Sequence, residues 1–149
     1  MFTHTHLAMG LYLFLMVDRL VVVESQVVLL GIVLAGSVLP DIDITTSFLG
    51  KRLKVIGNVL KHRGITHTIF GLALFTILVH AIWTSYIYTA AFLLAYFFHL
   101  FLDSFNKKGI KPFWFGLHVK GFVKTGLLVD HFLFLFLLFV SLLMMFGVV

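Results

Sequence analysis

The chain has 149 residues, of which 61% are apolar and only 11% charged, against about 45–50% and about 25% in a soluble domain. A soluble core of this length cannot hide so much Leu, Val, Ile and Phe, because most of a small protein is surface, and so apolar a chain is not a disordered one either. The 11 basic residues outnumber the 6 acidic ones and cysteine is absent. That excludes disulfides and thiolate metal sites, and it puts basic loops at a membrane surface ahead of a nucleic-acid patch.

Five helical segments are expected in chain order. The first runs from Thr3 to Val17 and ends at Asp18–Arg19. The second covers Leu20–Leu39 and is closed by Pro40. The third covers Ile65–Trp83, the fourth Tyr86–Asp103 and the fifth Leu127–Val149. At about 1.5 Å per residue the first is only about 22 Å long, short of a hydrocarbon core about 30 Å thick, so it stands partly sunk or the bilayer thins around it. The apolar runs lack the alternation of a membrane barrel. Met1–His6 has no basic stretch and no small-residue cleavage site follows, so no removable targeting segment is expected. The fold class is therefore all-α: one integral-membrane domain over residues 1–149, a polytopic helical bundle with about five membrane helices.

If the first two segments turn at Asp18–Arg19 and the next two near Thr84–Ser85, the N-terminus and the loops Pro40–Gly64 and Ser104–Gly126 share one face. Lys51, Arg52, Lys54, Lys61, Arg63, Lys107, Lys108, Lys111, Lys120 and Lys124 all fall there, and Arg19 alone lies opposite. The positive-inside rule makes that face cytoplasmic, with the N-terminus inside and the C-terminus outside.

The same face collects nearly every potential metal ligand. His4 and His6 open the first segment, Asp41 and Asp43 follow Pro40, and His62 and His67 frame His62-Arg63-Gly64-Ile65-Thr66-His67. His99 and Asp103 are four residues apart, hence on one side of a helix. Asp130 and His131 open the last segment. Ionisable groups at or within a membrane helix are expensive and are functional candidates by default. Imidazole and carboxylate without thiolate suit zinc first, with manganese or iron as alternatives, and their number admits one ion or two. Plainer readings exist: Asp41 and Asp43 as a turn and cap pair, His99 with Asp103 as a local pair, His62 and His67 as interfacial side chains. His4, His80, His118 and His131 read as ordinary packing or surface residues.

The run Leu39-Pro40-Asp41-Ile42-Asp43, continued by Ser47-Phe48-Leu49-Gly50-Lys51-Arg52-Leu53-Lys54 and then by His62-Arg63-Gly64-Ile65-Thr66-His67, resembles the YdjM-type proteins. These are described as inner-membrane, metal-dependent hydrolases, some of them LexA-binding. The resemblance extends to Thr5-His6, His99-Leu100-Phe101-Leu102-Asp103, Gly109-Ile110 and the acidic Asp130. Ile44 stands where members often carry His, and the usual Thr-Pro after the fourth helix is replaced around Phe105-Asn106. The resemblance implies a membrane-bound, phospholipase-like hydrolase.

The expected site is a divalent-metal centre partly sunk at the cytoplasmic face, made by His6, Asp41, Asp43, His62, His67, His99, Asp103 and Asp130. Arg63 is the expected phosphate-binding residue, since its planar fork cannot deprotonate, and Asp43 is ligand or general base. The expected reaction is hydrolysis of a phosphoester in a phospholipid or lipid-linked substrate at the inner (plasma) membrane. Membrane lipids are the expected partners, with a regulatory protein as a further one and no nucleic acid. Two rivals stay open: a metal or proton transporter using the same cluster, and a non-catalytic adaptor for a regulatory protein. Oligomeric state is not legible.

Overall fold

Three hydroxyl side chains decide where helices begin. The structure is a computed structural model that describes residues 2–43, 64–113, 115–123, 126 and 128–148. Among these residues lie five α-helices: α1 (Thr3–Leu20), α2 (Gln26–Val38), α3 (Ile69–Trp83), α4 (Tyr86–Ser104) and α5 (Leu128–Met145). Ser25 caps α2 by accepting from the Val28 amide, Thr68 caps α3 from the Gly71 amide, and Ser85 caps α4 from the Tyr88 amide. Each satisfies a backbone donor that has no partner inside the helix.

Two boundaries differ from the sequence expectation. The first turn falls at Val21–Ser25 instead of Asp18–Arg19: α1 continues through Leu20, and Val21 takes an extended conformation. Three consecutive β-branched valines, Val21–Val23, are stiff at χ1 and favour extended backbone, and the Ser25 cap delays α2. Likewise α3 starts at Ile69 and not Ile65, because Ile65–His67 form a tight 3₁₀ turn closed by Thr68. A second 3₁₀ turn, Leu39–Asp43, follows α2.

These shifts change the membrane reading. Helices α4 and α5, with 19 and 18 residues, are long and apolar enough to cross a bilayer. Helices α2 and α3 have 13 and 15 residues, about 20 and 23 Å, short of the hydrocarbon thickness. Helix α1 has 18 residues but opens on His4 and His6 and closes on Asp18 and Arg19. The all-helical class holds, and two of the expected five helices have spanning character. No strand occurs among the described residues; isolated bridges pair Asn106 with Val123 and Ile110 with Val119.

Helix α4 is the centre of the packing, with Phe92 and Tyr96 buried against Leu29, Ile32 and Val33 of α2 and Leu13 of α1. Lipid tails are as apolar as Leu, so close dispersion contact, not hydrophobic burial, holds such helices together. Gly36 shows how close: a Cβ added there would lie 2.9 Å from the Phe92 carbonyl oxygen and 3.1 Å from Ala95. Helix α5 leans on α1 and turns Phe132, Phe136 and Phe139 outward.

The side-chain contacts fix the directions. Asp130 at the head of α5 accepts from Thr5 at the head of α1, while Arg19 at the far end of α1 donates to the Met144 carbonyl near the end of α5. Helices α1 and α5 are therefore parallel. His6 faces Asp103, and His67 faces Asp41. The start of α1, the end of α2, the start of α3, the end of α4 and the start of α5 thus meet at one end of the molecule.

Candidate metal centre

Five ionisable residues converge at that end, each at most 4% exposed: His6, Asp41, His67, His99 and Asp103. They come from four elements. His6 lies in the first turns of α1. His99 and Asp103 lie one turn apart near the end of α4, on the face that meets α1 and α2. Asp41 is set by the 3₁₀ turn after α2, and His67 by the turn before α3. That second turn is held at two points: Tyr96 donates to the Thr66 carbonyl at 2.7 Å, and Thr68 donates to the Ile65 carbonyl at 2.6 Å. Gly71 lets the turn fold onto α3, since a Cβ there would lie 2.4 Å from the Ile65 carbonyl oxygen.

The distances between these groups are the informative quantity. His6 Nε2 lies 3.5 Å from Asp103 Oδ1, His99 Nε2 3.6 Å from Asp41 Oδ1, and His67 Nε2 3.7 Å from Asp103 Oδ2 and 3.8 Å from Asp41 Oδ1. Charge-assisted hydrogen bonds run about 2.7–2.9 Å. A tetrahedral ion with ligands at about 2.0–2.1 Å sets its ligand atoms about 3.4 Å apart. The observed gaps fit an ion between the atoms better than a proton. The rings pack tightly, with His6 and His99 stacked at 3.8 Å between centroids.

Hydrogen bonding says the same. Both ring nitrogens of His6 and Nε2 of His99 make no hydrogen bond among the described residues, and buried polar atoms in that state are costly. His99 Nδ1 donates to the Ser37 carbonyl at 2.7 Å. That bond leaves the Nε2 lone pair aimed at Asp41, the arrangement in which a metal-binding imidazole is held from behind. Burial pushes the Asp41 carboxyl up and Asp103 adds a like charge. When protonated, His99 and His6 outweigh both and hold it below the usual carboxylate range.

Two ligand sets emerge, His6–His99–Asp103 and Asp41–His67–His99, each with its atoms within 4.8 Å of one another. They share His99, which offers a single free lone pair. The residues could hold a divalent cation: buried nitrogen and oxygen donors in two sets joined at His99.

Of the residues singled out by sequence, the structure brings together His6, Asp41, His67, His99 and Asp103. It places Asp130 elsewhere. Its Oδ1 accepts from Thr5 Oγ1 at 2.9 Å, and its Oδ2 accepts from the Phe2 amide at 3.2 Å and the Gly126 amide at 3.3 Å. The carboxylate is engaged in tying the heads of α1 and α5 together and belongs to neither ligand set. His62, Arg63 and the side chain of Asp43 lie outside the described residues. Sequence reasoning missed the Ser37 carbonyl and Tyr96. A backbone carbonyl leaves no trace in sequence; Tyr96 had a faint one, its place three residues before His99 on the same face of α4.

Fold and site define an all-helical protein with two helices long and apolar enough to cross a membrane and a buried His/Asp centre suited to a divalent cation. The chain belongs to the YdjM inner membrane protein family, which matches residues 1–148. No curated protein and no solved structure matches it.

Proposed function

We propose that the protein is a metal-dependent hydrolase of the inner membrane, acting on a phosphoester of a phospholipid or lipid-linked substrate. The observation that supports it best is the set of buried ring nitrogens and carboxylate oxygens 3.5–3.8 Å apart, too far for strong hydrogen bonds and spaced for an ion. His6, His67, His99, Asp41 and Asp103 hold one divalent cation, zinc first by its donor set. Because His99 has one lone pair to give, a second ion would need donors from Asp43 and His62.

A cation held there supplies Lewis acidity and a lowered pKa for water. The chain supplies the rest. Asp43 takes the proton from the attacking water. Arg63, a donor only, grips the phosphoryl oxygens with its two-pronged fork and stabilises the charge that grows on them. The site end faces the cytoplasm, where the basic loops meet anionic headgroups.

The test is elemental analysis of the purified protein together with hydrolysis of a soluble phosphodiester. About one divalent ion per chain and turnover are expected. Arg63→Ala should keep the metal and lose about 10²–10³-fold in turnover, the scale for one transition-state donor. Metal-free protein, or full activity in Arg63→Ala, overturns the corresponding part.

A further inference from the structure

A groove of about 410 Å³ runs between α2 and α3, with Phe92 of α4 in its floor. Gly31, Ala35 and Leu39 form one wall, Phe75 and Trp83 the other, and no charged side chain among the described residues lines it. Leu39, at one end of the groove, opens the turn that carries Asp41 two residues on. Trp83 and Val28 mark the other end, at the far side of the bundle.

Gly31 gives the groove its depth. A Cβ built on it meets nothing within 4 Å among the described residues. Glycine in the middle of a helix is disfavoured, and here no close helix approach calls for it, unlike Gly36 at the Phe92 carbonyl. What the missing side chain leaves is space, open toward the surrounding medium beside the exposed Leu78 and Ile82.

The dimensions select the occupant. From Val28 to Leu39 the groove follows about 17 Å of helix, and its volume spread over that length leaves a mean cross-section on the order of 25 Å². A helix with its side chains is about 10–12 Å across and does not enter. A single extended hydrocarbon chain does, and acyl chains are the medium in which α4 and α5 stand. We propose that this groove seats one acyl chain of a phospholipid, so that the chain lies along α2 and α3 while its phosphoester headgroup rests at the His/Asp centre. The proposal rests on the hydrolase reading and names its substrate class: a phosphoester lipid recognised by its chain, with the headgroup delivered to the metal.

The test uses full-length protein in nanodiscs of phosphatidylethanolamine and phosphatidylglycerol doped with a phospholipid carrying a diazirine on one acyl chain. Photolabelled residues are mapped by mass spectrometry. Labels are expected at Phe75 and Val79 in the groove as well as at Phe132 and Phe136, which face bulk lipid in either case. Gly31→Leu puts a side chain into the groove from a position whose Cβ meets nothing within 4 Å among the described residues. It should cut the groove labels at least fivefold and leave those on α5 unchanged; Ala35→Leu, one turn along, should do the same. Hydrolysis of a long-chain phospholipid should lose at least tenfold in kcat/KM through KM, while a soluble phosphodiester and the metal content stay at wild-type values. Groove labels that persist in both variants, or groove residues cross-linked to a second copy of the chain, overturn the proposal. Groove labelling without metal or hydrolysis would fell the hydrolase reading and leave the lipid seat. Phosphodiester turnover with an unlabelled groove would do the reverse.

Discussion

His99 donates its Nδ1 proton to the Ser37 carbonyl at 2.7 Å, and this bond decides that Nε2 faces Asp41, 3.6 Å away. The ring is thereby locked between the backbone of α2 and the turn that follows it. Two elements share responsibility for one nitrogen atom, which is why the centre depends on helix packing as much as on the identity of its ligands.

Removing a proposed ligand should remove metal. His99→Gln keeps a polar side chain on α4 but presents no imidazole lone pair toward Asp41. Supporting partners alone are worth about 10–100-fold in metal affinity, so a direct ligand should exceed that. Equilibrium dialysis with zinc on the wild type, His99→Gln and Asp103→Asn checks it. Equal affinity in all three would refute the assignment.

Asp130 should behave differently from those five. Asp130→Ala leaves the Thr5 hydroxyl and two amides without their acceptor, a cost of about 1–3 kcal/mol for buried donors. Thermal unfolding should register that loss while the metal content stays as in the wild type. A metal-free Asp130→Asn protein of wild-type stability would instead make Asp130 a ligand.

Gly71 offers a test of how the His67 turn is placed. An added methyl would meet the Ile65 carbonyl oxygen at 2.4 Å, and backbone cannot swing aside as a flexible side chain can. Gly71→Ala should cost about 1–3 kcal/mol by overpacking and weaken metal binding, although it touches no ligand. Unaltered binding and stability would show that the turn has room to move.

Chelation should destabilise the protein. An ion at a free concentration 100 times its Kd stabilises the native state by about 2.7 kcal/mol, which at this chain length corresponds to roughly 5–10 °C in Tm. Differential scanning with and without a chelator measures the shift, and restoring zinc should reverse it. The effect should vanish in His99→Gln.

The orientation has its own check. Single cysteines at Lys54 and Ser85, in a protein with no cysteine of its own, should label from opposite sides of sealed vesicles, Lys54 from the cytoplasmic side. Labelling from one side would break the assignment of the site end to the cytoplasm.

Composition determined that this is an apolar protein, and the long apolar runs without strand alternation that it is helical. With 61% apolar and 11% charged residues there is no polar surface to spare for water, and that inference needs no geometry. Local periodicity placed His99 and Asp103 on one face, because four residues make about one turn of helix. The clustering of Asp41, His67 and His6 with them was legible as a shared end of the bundle, since a count of crossings reports which helix ends meet.

The tertiary structure decided the rest. Val21–Val23 and the Ser25 cap shortened α2, and the Thr68 cap shortened α3, because local extended preference and hydroxyl capping outweigh an unbroken apolar run. Asp130 and Asp103 are the same residue type near the same end, yet one ties two helices together and the other faces two imidazoles. A carboxylate takes its role from the groups the packing brings to it. Those groups, the Thr5 hydroxyl for Asp130 and the imidazoles of His6 and His67 for Asp103, lie from 36 to 125 residues away in the chain, beyond the reach of any local pattern.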